Sequence, residues 1–236
     1  MKGKLYGIGV GPGDPELLTL KAVNTIKKCG VIAYPKTGDG KGVAFSITEE
    51  YLIEKELLEC RFAMVMNQEK LDEARLVVAN DIIHFLNQGK DVGFITLGDP
   101  TTYSTYMYVH EIITERGFNA EIIPGITSYA TAAAALGTAL CEWDEALTII
   151  PVQNNENIDG LLDYPGNKVI MKSGKHLGHV LDKLKRRECE VKIASRVSME
   201  GQRLYNSIEE YEKSPETGYF TLAIVKTGKK RTEKHG

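Results

Sequence analysis

Short apolar runs and helically spaced apolar positions alternate through most of this chain. Apolar runs at 4–9, 31–34, 91–97 and 120–123 predict strands. Between them, Leu17, Leu18, Lys21, Ala22, Thr25 and Ile26 recur at helical spacing. That rhythm predicts a helix over 15–28, and similar patterns predict helices over 44–58, 71–87 and 101–116. Pro35 and a glycine-rich loop through Gly42 close the second strand. Strand and helix in this order predict a mainly parallel sheet covered by helices.

After Gly137 the pattern resets. An acidic segment around Trp143 leads into a strand at 147–152, followed by a strand at 168–171 and a helix at 176–187. Strands at 191–197, 202–206 and 219–225 complete this half, with room for antiparallel pairing. The expectation is an α/β protein of two α/β domains, 1–124 and 125–228, with a polar, basic tail at 229–236 to which no structural role falls.

Composition narrows the function. A chain of 236 residues that is 42% hydrophobic and 26% charged folds, and its net charge of −3 provides no global field for nucleic acid or an anionic membrane. Residues 122–141 carry no charge but are rich in alanine and include Pro124 and Gly125, so a buried helix is expected rather than a membrane span. Cys29, Cys60, Cys141 and Cys189 lie too far apart for metal-ligand or redox-pair spacing and read as buried, reduced thiols. With no signal-peptide pattern at 1–9, a cytoplasmic protein is expected.

The densest candidate chemistry is Gly7-Ile8-Gly9-Val10-Gly11-Pro12-Gly13-Asp14-Pro15-Glu16. The dinucleotide fingerprint fails in register: counted from Gly9 its third glycine falls on Asp14, and counted from Gly7 on Pro12. No Gly-Lys-Ser/Thr follows, so the phosphate-loop pattern fails too. Asp14 as N-cap, Pro15 as first helical residue and Glu16 in the first turn fill the positive helix end with carboxylates. This loop is built against anions, while its glycines let backbone approach a neutral or cationic group or another chain segment.

Leu97-Gly98-Asp99-Pro100 repeats the device after the fourth strand. In a parallel sheet both turns lie at the carboxyl edge, where α/β proteins hold ligands. A bland account has Asp99 cap the next helix and Pro100 start it. A third turn, Pro124-Gly125-Ile126-Thr127-Ser128, opens an alanine-rich helix, and Thr127 and Ser128 can bind a ligand or cap that helix. Tyr103 and Tyr106 would share a helix face, in the core or lining a cleft. His176 and His179 read as a surface pair, and no metal site is expected. Ser173-Gly174-Lys175 is half a phosphate loop without the upstream glycine.

Taken in order, the Gly7 to Ala22 segment, Gly98-Asp99-Pro100 and Pro124-Gly125-Ile126-Thr127-Ser128 resemble the tetrapyrrole methylases, two-domain α/β enzymes that use S-adenosyl-L-methionine. Tyr34-Pro35-Lys36, the stretch from Thr96 to Tyr106, the helix from Ser128 to Ala134 and Ile170-Met171-Lys172 most resemble the branch that methylates carbon 20 of precorrin-2 or its cobalt form on the route to cobalamin. The resemblance implies a mainly parallel first sheet, a mixed second one, and a cofactor in the cleft between the domains. It implies cofactor contacts at Pro12, Leu97, Gly98, Asp99, Thr102, Thr127 and Ser128, and further ones at Met171, Lys172, Val197, Ser198, Met199, Thr221 and Leu222. Relatives differ around Met171 and Lys172, so which of the two touches the cofactor stays open.

A methyl on a good leaving group and an electron-rich ring carbon need alignment above all, and positioning can supply roughly 7–11 kcal/mol of barrier lowering. Asp99 or Tyr103 would accept the proton released as the ring regains conjugation. The acceptor is an anionic tetrapyrrole, which in a chain of this charge needs local cations, here Lys36, Lys175 and Arg196. The family resemblance also implies a homodimer, with 44–58 and 71–87 as interface helices. Another ring position, uroporphyrinogen III, a protein or RNA target, or a non-catalytic ligand-binding role stay open at this point.

Overall fold

Leu5–Gly9 forms strand β1, and the chain continues through a 3-10 turn at Pro15–Leu17, α1 (Leu20–Lys28), β2 (Val31–Lys36), α2 (Val43–Thr48), β3 (Glu56–Arg61), α3 (Gln68–Asn87), β4 (Val92–Thr96), α4 (Tyr106–Glu115) and β5 (Ala120–Ile123). These belong to the first of two units, Met1–Thr127 and Ser128–Gly236. The structure, a computed structural model, describes residues 1–36, 40–62, 67–152, 157–216 and 218–227; the tail at 229–236 lies outside the described residues.

All pairings in the first sheet are parallel, in the order β3-β2-β4-β1-β5. The pleat sorts side chains by parity. Leu5, Val31, Ala33, Val92 and Phe94 pack with α3 and α4, whereas Tyr6, Ile8, Ile32, Tyr34 and Ile95 pack with α1 and α2. With both faces covered, the strands read as continuous apolar runs. The chain leaves β1 toward β2 and leaves the neighbouring β4 toward β5, in opposite directions across the sheet. This is a topological switch point, and the two glycine-rich turns follow the two strands that form it.

Several expected elements are corrected. The helix over 15–28 is interrupted: Leu18 is extended, and the Thr19 side chain caps α1 afresh by accepting from Ala22 N at 3.1 Å. Pro35 does not stop β2, because β4 pairs only as far as Ala33 and the later residues have β3 alone as neighbour, leaving an open side for a residue without an N–H. The helix over 44–58 ends near Tyr51, and 56–58 belong to β3. Its six residues occupy the sheet edge, where one-sided burial imitates helical amphipathicity. The helix over 101–116 begins only at Tyr106, because Ser104 Oγ accepts from Tyr106 N and bonds Thr96 Oγ1, tying the preceding loop into a closed turn.

The second unit contains α5 (Ser128–Ala135), β6 (Leu147–Pro151), α6 (Ile158–Asp163), β7 (Asn167–Met171), α7 (Leu177–Leu184), β8 (Glu190–Ser195), β9 (Arg203–Tyr205), α8 (Ile208–Lys213) and β10 (Thr221–Lys226). The short helices α6 and α8 are not among the expected elements. Its sheet is mixed, in the order β6-β7-β10-β8-β9, with β10 antiparallel to both neighbours. Residues of α6, α7 and α8 pack one core with Ile170, Ile193, Ala223 and Val225, while Ala132 and Ala133 of α5 pack another with Ala194, Leu222 and Ile224. Of the cysteines, Cys29 and Cys60 are buried and their thiols are pushed up to about 12 by desolvation, but Cys141 is exposed and Cys189 only half-buried. Among the described residues, no helix is long and apolar enough to cross a membrane.

Glu121 of β5 ties its strand to β1 and α1 through Lys4 (2.7 Å) and Lys21 (2.8 Å). The Lys21 and Lys4 hydrogen bonds lower its pKa from 4.5 to about 2. A carboxylate with a depressed folded pKa contributes stability above its unfolded value, and that contribution disappears as pH falls through the folded value. Glu121→Gln is therefore expected to flatten the acid limb of a melting-temperature profile between pH 4.5 and 2, with the two proteins converging at the lower end. Parallel profiles across that window would show that the two ion pairs carry none of the acid sensitivity.

Candidate functional site

The turns after β1 and β4 are bonded to each other. Gly11 N donates to Gly98 O at 3.3 Å and Gly98 N donates to Gly11 O at 2.8 Å, an antiparallel bridge outside the regular sheet. Both residues have positive φ, 77° and 71°, which glycine alone adopts without steric penalty. The turn after β5 rests on this pair: a Cβ on Gly125 would lie 2.1 Å from Gly98 O and 2.8 Å from Gly9 Cα. Gly7 is required for a different reason, since a Cβ there would fall 2.0 Å from the buried Tyr106 ring.

Asp99 braces the second turn against the third. Its carboxylate is 8% exposed; Oδ2 accepts from Gly125 N at 2.9 Å, and Oδ1 accepts from Thr101 N at 2.8 Å and from Thr101 Oγ1. With α4 starting at Tyr106, Asp99 is not its cap and Pro100 does not open it. Thr102 N donates to Asp99 O, closing the same turn. Tyr103 and Tyr106 do not share a helix face: Tyr106 lies in the core, and Tyr103 is 42% exposed on a loop corner with φ of 52°. Pro12 is buried beside Gly11, and Leu97 is half-buried. Asp14 caps the first 3-10 turn, accepting from Glu16 N at 2.9 Å, so the N–H nearest this loop already faces a carboxylate.

In the second unit the register collects the candidate residues at one sheet edge. Ile170 lies opposite Ala223, so Met171 and Lys172 come level with Leu222 and Thr221. On the other side of β10, Ser195 lies opposite Thr221; their hydroxyls are 2.9 Å apart, and Arg196 N donates to Phe220 O at 3.0 Å. Val197, Ser198 and Met199 continue from there. Burial lowers the pKa of the Lys172 ammonium. Thr127 closes the first unit and Ser128 opens α5 of the second.

Six described residues other than glycine have positive φ, and four of them, Tyr103, Lys172, Arg196 and Ser198, belong to these loops. Such conformations cost of order 1–2 kcal/mol each and cluster where function demands a specific side chain. Of the expected substrate cations, Lys36 ends β2 and is held by Glu59 at 3.0 Å, Lys175 is exposed in the turn after β7, and Arg196 follows β8. The close approach to another chain segment that the first loop's glycines allow is realised at Gly9, whereas sequence reasoning missed its partner Gly125, although the Pro124-Gly125 pair is a usable signal. It also missed Ser173, buried with no hydrogen-bond partner for its hydroxyl among the described residues.

The family model described as Tetrapyrrole (Corrin/Porphyrin) Methylases matches residues 4–212. A relative from Methanocaldococcus jannaschii, named "Probable cobalt-precorrin-2 C(20)-methyltransferase", is 35% identical over 96% of this chain and 97% of its own. A cobalt-precorrin-2 C(20)-methyltransferase of Salmonella typhimurium is 29% identical over 95% of this chain and 97% of its own. The solved uroporphyrin-III C-methyl transferase from Thermus thermophilus, complexed with S-adenyl homocysteine, has the same fold at a TM-score of 0.69 and 21% identity, covering 95% of this chain and 98% of that one.

Proposed function

The chain belongs to the tetrapyrrole methylase family, and from that premise we propose that it transfers a methyl group from S-adenosyl-L-methionine to carbon 20 of precorrin-2 or cobalt-precorrin-2, in cobalamin biosynthesis. The observation that carries the choice of acceptor is the likeness, over nearly the whole of both chains, to the relative from Methanocaldococcus jannaschii. An anionic tetrapyrrole is then the partner in solution. A homodimer would have a candidate face on α3, where Leu76 and Val77 are exposed.

The donor set suits such a cofactor, which has a sulfonium charge and no phosphate. Asp14 leaves no free anion site at the first turn, and Gly98 faces open space where a side chain would stand. In the first unit the proposed contacts are Pro12, Leu97, Gly98, Asp99, Thr102 and Thr127. The family likeness further proposes Ser128, Met171, Val197, Ser198, Met199, Thr221 and Leu222, with Met171 rather than Lys172 taking the contact after β7. When bound, S-adenosyl-L-methionine supplies an electrophilic methyl group on a sulfonium leaving group.

The chain's own contribution is alignment. The three bridged turns give a rigid backbone surface, and rigidity of this kind is what near-attack positioning requires. Asp99 acts here through position, because both of its oxygens are engaged by Thr101 and Gly125. Tyr103, exposed on the same loop, is the candidate to relay the proton lost from the ring carbon to solvent, accepting it on the phenol oxygen as its own O–H proton passes to water.

Calorimetry with S-adenosylhomocysteine and ATP tests the cofactor, and labelled S-adenosylmethionine with either acceptor, read by NMR, tests the position. Binding of the homocysteine analogue, none of ATP, and label on carbon 20 are expected. Label at another ring carbon would overturn the assigned position, and failure to bind the analogue would overturn the cofactor.

A further inference from the structure

We propose that Lys172 and Arg196 form a paired carboxylate-binding site for the tetrapyrrole acceptor, an inference that rests on the acceptor class proposed above. Both occupy left-handed corners, with φ of 50° and 51°, directly after β7 and β8. Glycine takes that conformation without steric penalty, yet these two corners hold long cationic side chains. Observed backbone strain that glycine could relieve points to a side chain needed for itself.

The register sets their separation. Lys172 and Ser195 flank Thr221 on opposite sides of β10, with Arg196 one residue beyond Ser195. Two strand spacings put the corners about 10 Å apart, a span that peripheral carboxylates of one tetrapyrrole can bridge. Between them on the strands stand Ser195 and Thr221, both buried with their hydroxyls bonded to each other, rather than acids. The carboxylate of Glu216, whose main-chain oxygen accepts from Thr221, is engaged by Arg203 at 3.1 Å.

Arg196 is held without being neutralised. Its Nε donates to the main-chain oxygen of Glu200 at 2.9 Å, and it takes part in no ion pair among the described residues. A guanidinium oriented in this way is suited to a carboxylate. Lys172 is half-buried and burial lowers its pKa, and a nearby carboxylate favours the charged form.

The test uses Lys172→Gly and Arg196→Gly, which relieve backbone strain while removing the charge, with Lys172→Arg and Arg196→Lys as conservative partners. Uroporphyrin, a polycarboxylate tetrapyrrole that fluoresces, is the binding probe. Each glycine variant is expected to keep or raise the melting temperature and to bind S-adenosylhomocysteine as the parent does. Each should bind uroporphyrin about tenfold more weakly, with the loss in turnover appearing in KM for the acceptor and partly restored by the conservative variant. Uroporphyrin binding that is absent in the parent, or unchanged in both glycine variants, overturns the pair. Weakened S-adenosylhomocysteine binding with unchanged uroporphyrin binding would return Lys172 to the cofactor. A parent that binds uroporphyrin through these residues but not S-adenosylhomocysteine would uphold the pair and sink the methyltransferase reading.

Discussion

Gly125→Ala is expected to destabilise the protein by about 3 kcal/mol, lower its melting temperature by roughly 10 °C, and reduce turnover about a hundredfold. The added Cβ would sit 2.1 Å from Gly98 O and 2.8 Å from Gly9 Cα, so main chain must move on two loops at once. No flexible side chain is available to give way, which places the effect at the upper end of overpacking losses. The same displacement breaks the geometry by which Gly98 and Asp99 would meet a cofactor. Gly98→Ala provides the internal comparison. Its Cβ meets nothing within 4 Å, leaving the left-handed backbone penalty of about 1–2 kcal/mol. Thermal unfolding of the two variants side by side decides the matter, and equal losses would show that the close approach of the loops is not what makes Gly125 necessary.

Asp99→Asn should be nearly as severe. The carboxylate accepts three hydrogen bonds from Thr101 N, Thr101 Oγ1 and Gly125 N in a buried setting. An amide offers one oxygen, so its NH2 group must face at least one of those donors. Loss of charge-assisted bonds and an unsatisfied buried N–H together amount to about 3 kcal/mol. Hydrogen exchange gives the specific readout: the Gly125 amide should lose protection, and S-adenosylhomocysteine affinity should fall with it. Asn at this position with full Gly125 protection and unchanged affinity would mean that Asp99 does not brace the loops. Retained binding with lost turnover would instead restore Asp99 as a candidate proton acceptor.

Much of the fold was legible because burial on both faces of a sheet leaves a plain mark. The runs containing Leu5, Val92 and Ile123 are strands where the apolar rhythm predicts them, and the Asp14 cap with Pro15 behind it is present as read. The errors fall where local signals compete. Thr19 starts a second helix inside a segment whose periodicity reads as one. The edge strand β3 is buried on one side only, and residues 56–58 pass for helix. Tyr106, three residues after Tyr103, lies in the core because the Ser104 hydroxyl, accepting from Tyr106 N, sets the helix start between them.

The order of residues by itself determined the alternation of strands and helices, the family resemblance, and a first loop closed to phosphate, because periodicity, capping and turn chemistry act over a few neighbours. Only the tertiary structure decided that Gly9, Gly98 and Gly125 touch, that Asp99 spans two turns, and that Lys172 and Arg196 flank one strand. Those relations join residues many positions apart through strand order and register. Strand order and register follow from how whole faces pack, which no short stretch of sequence contains.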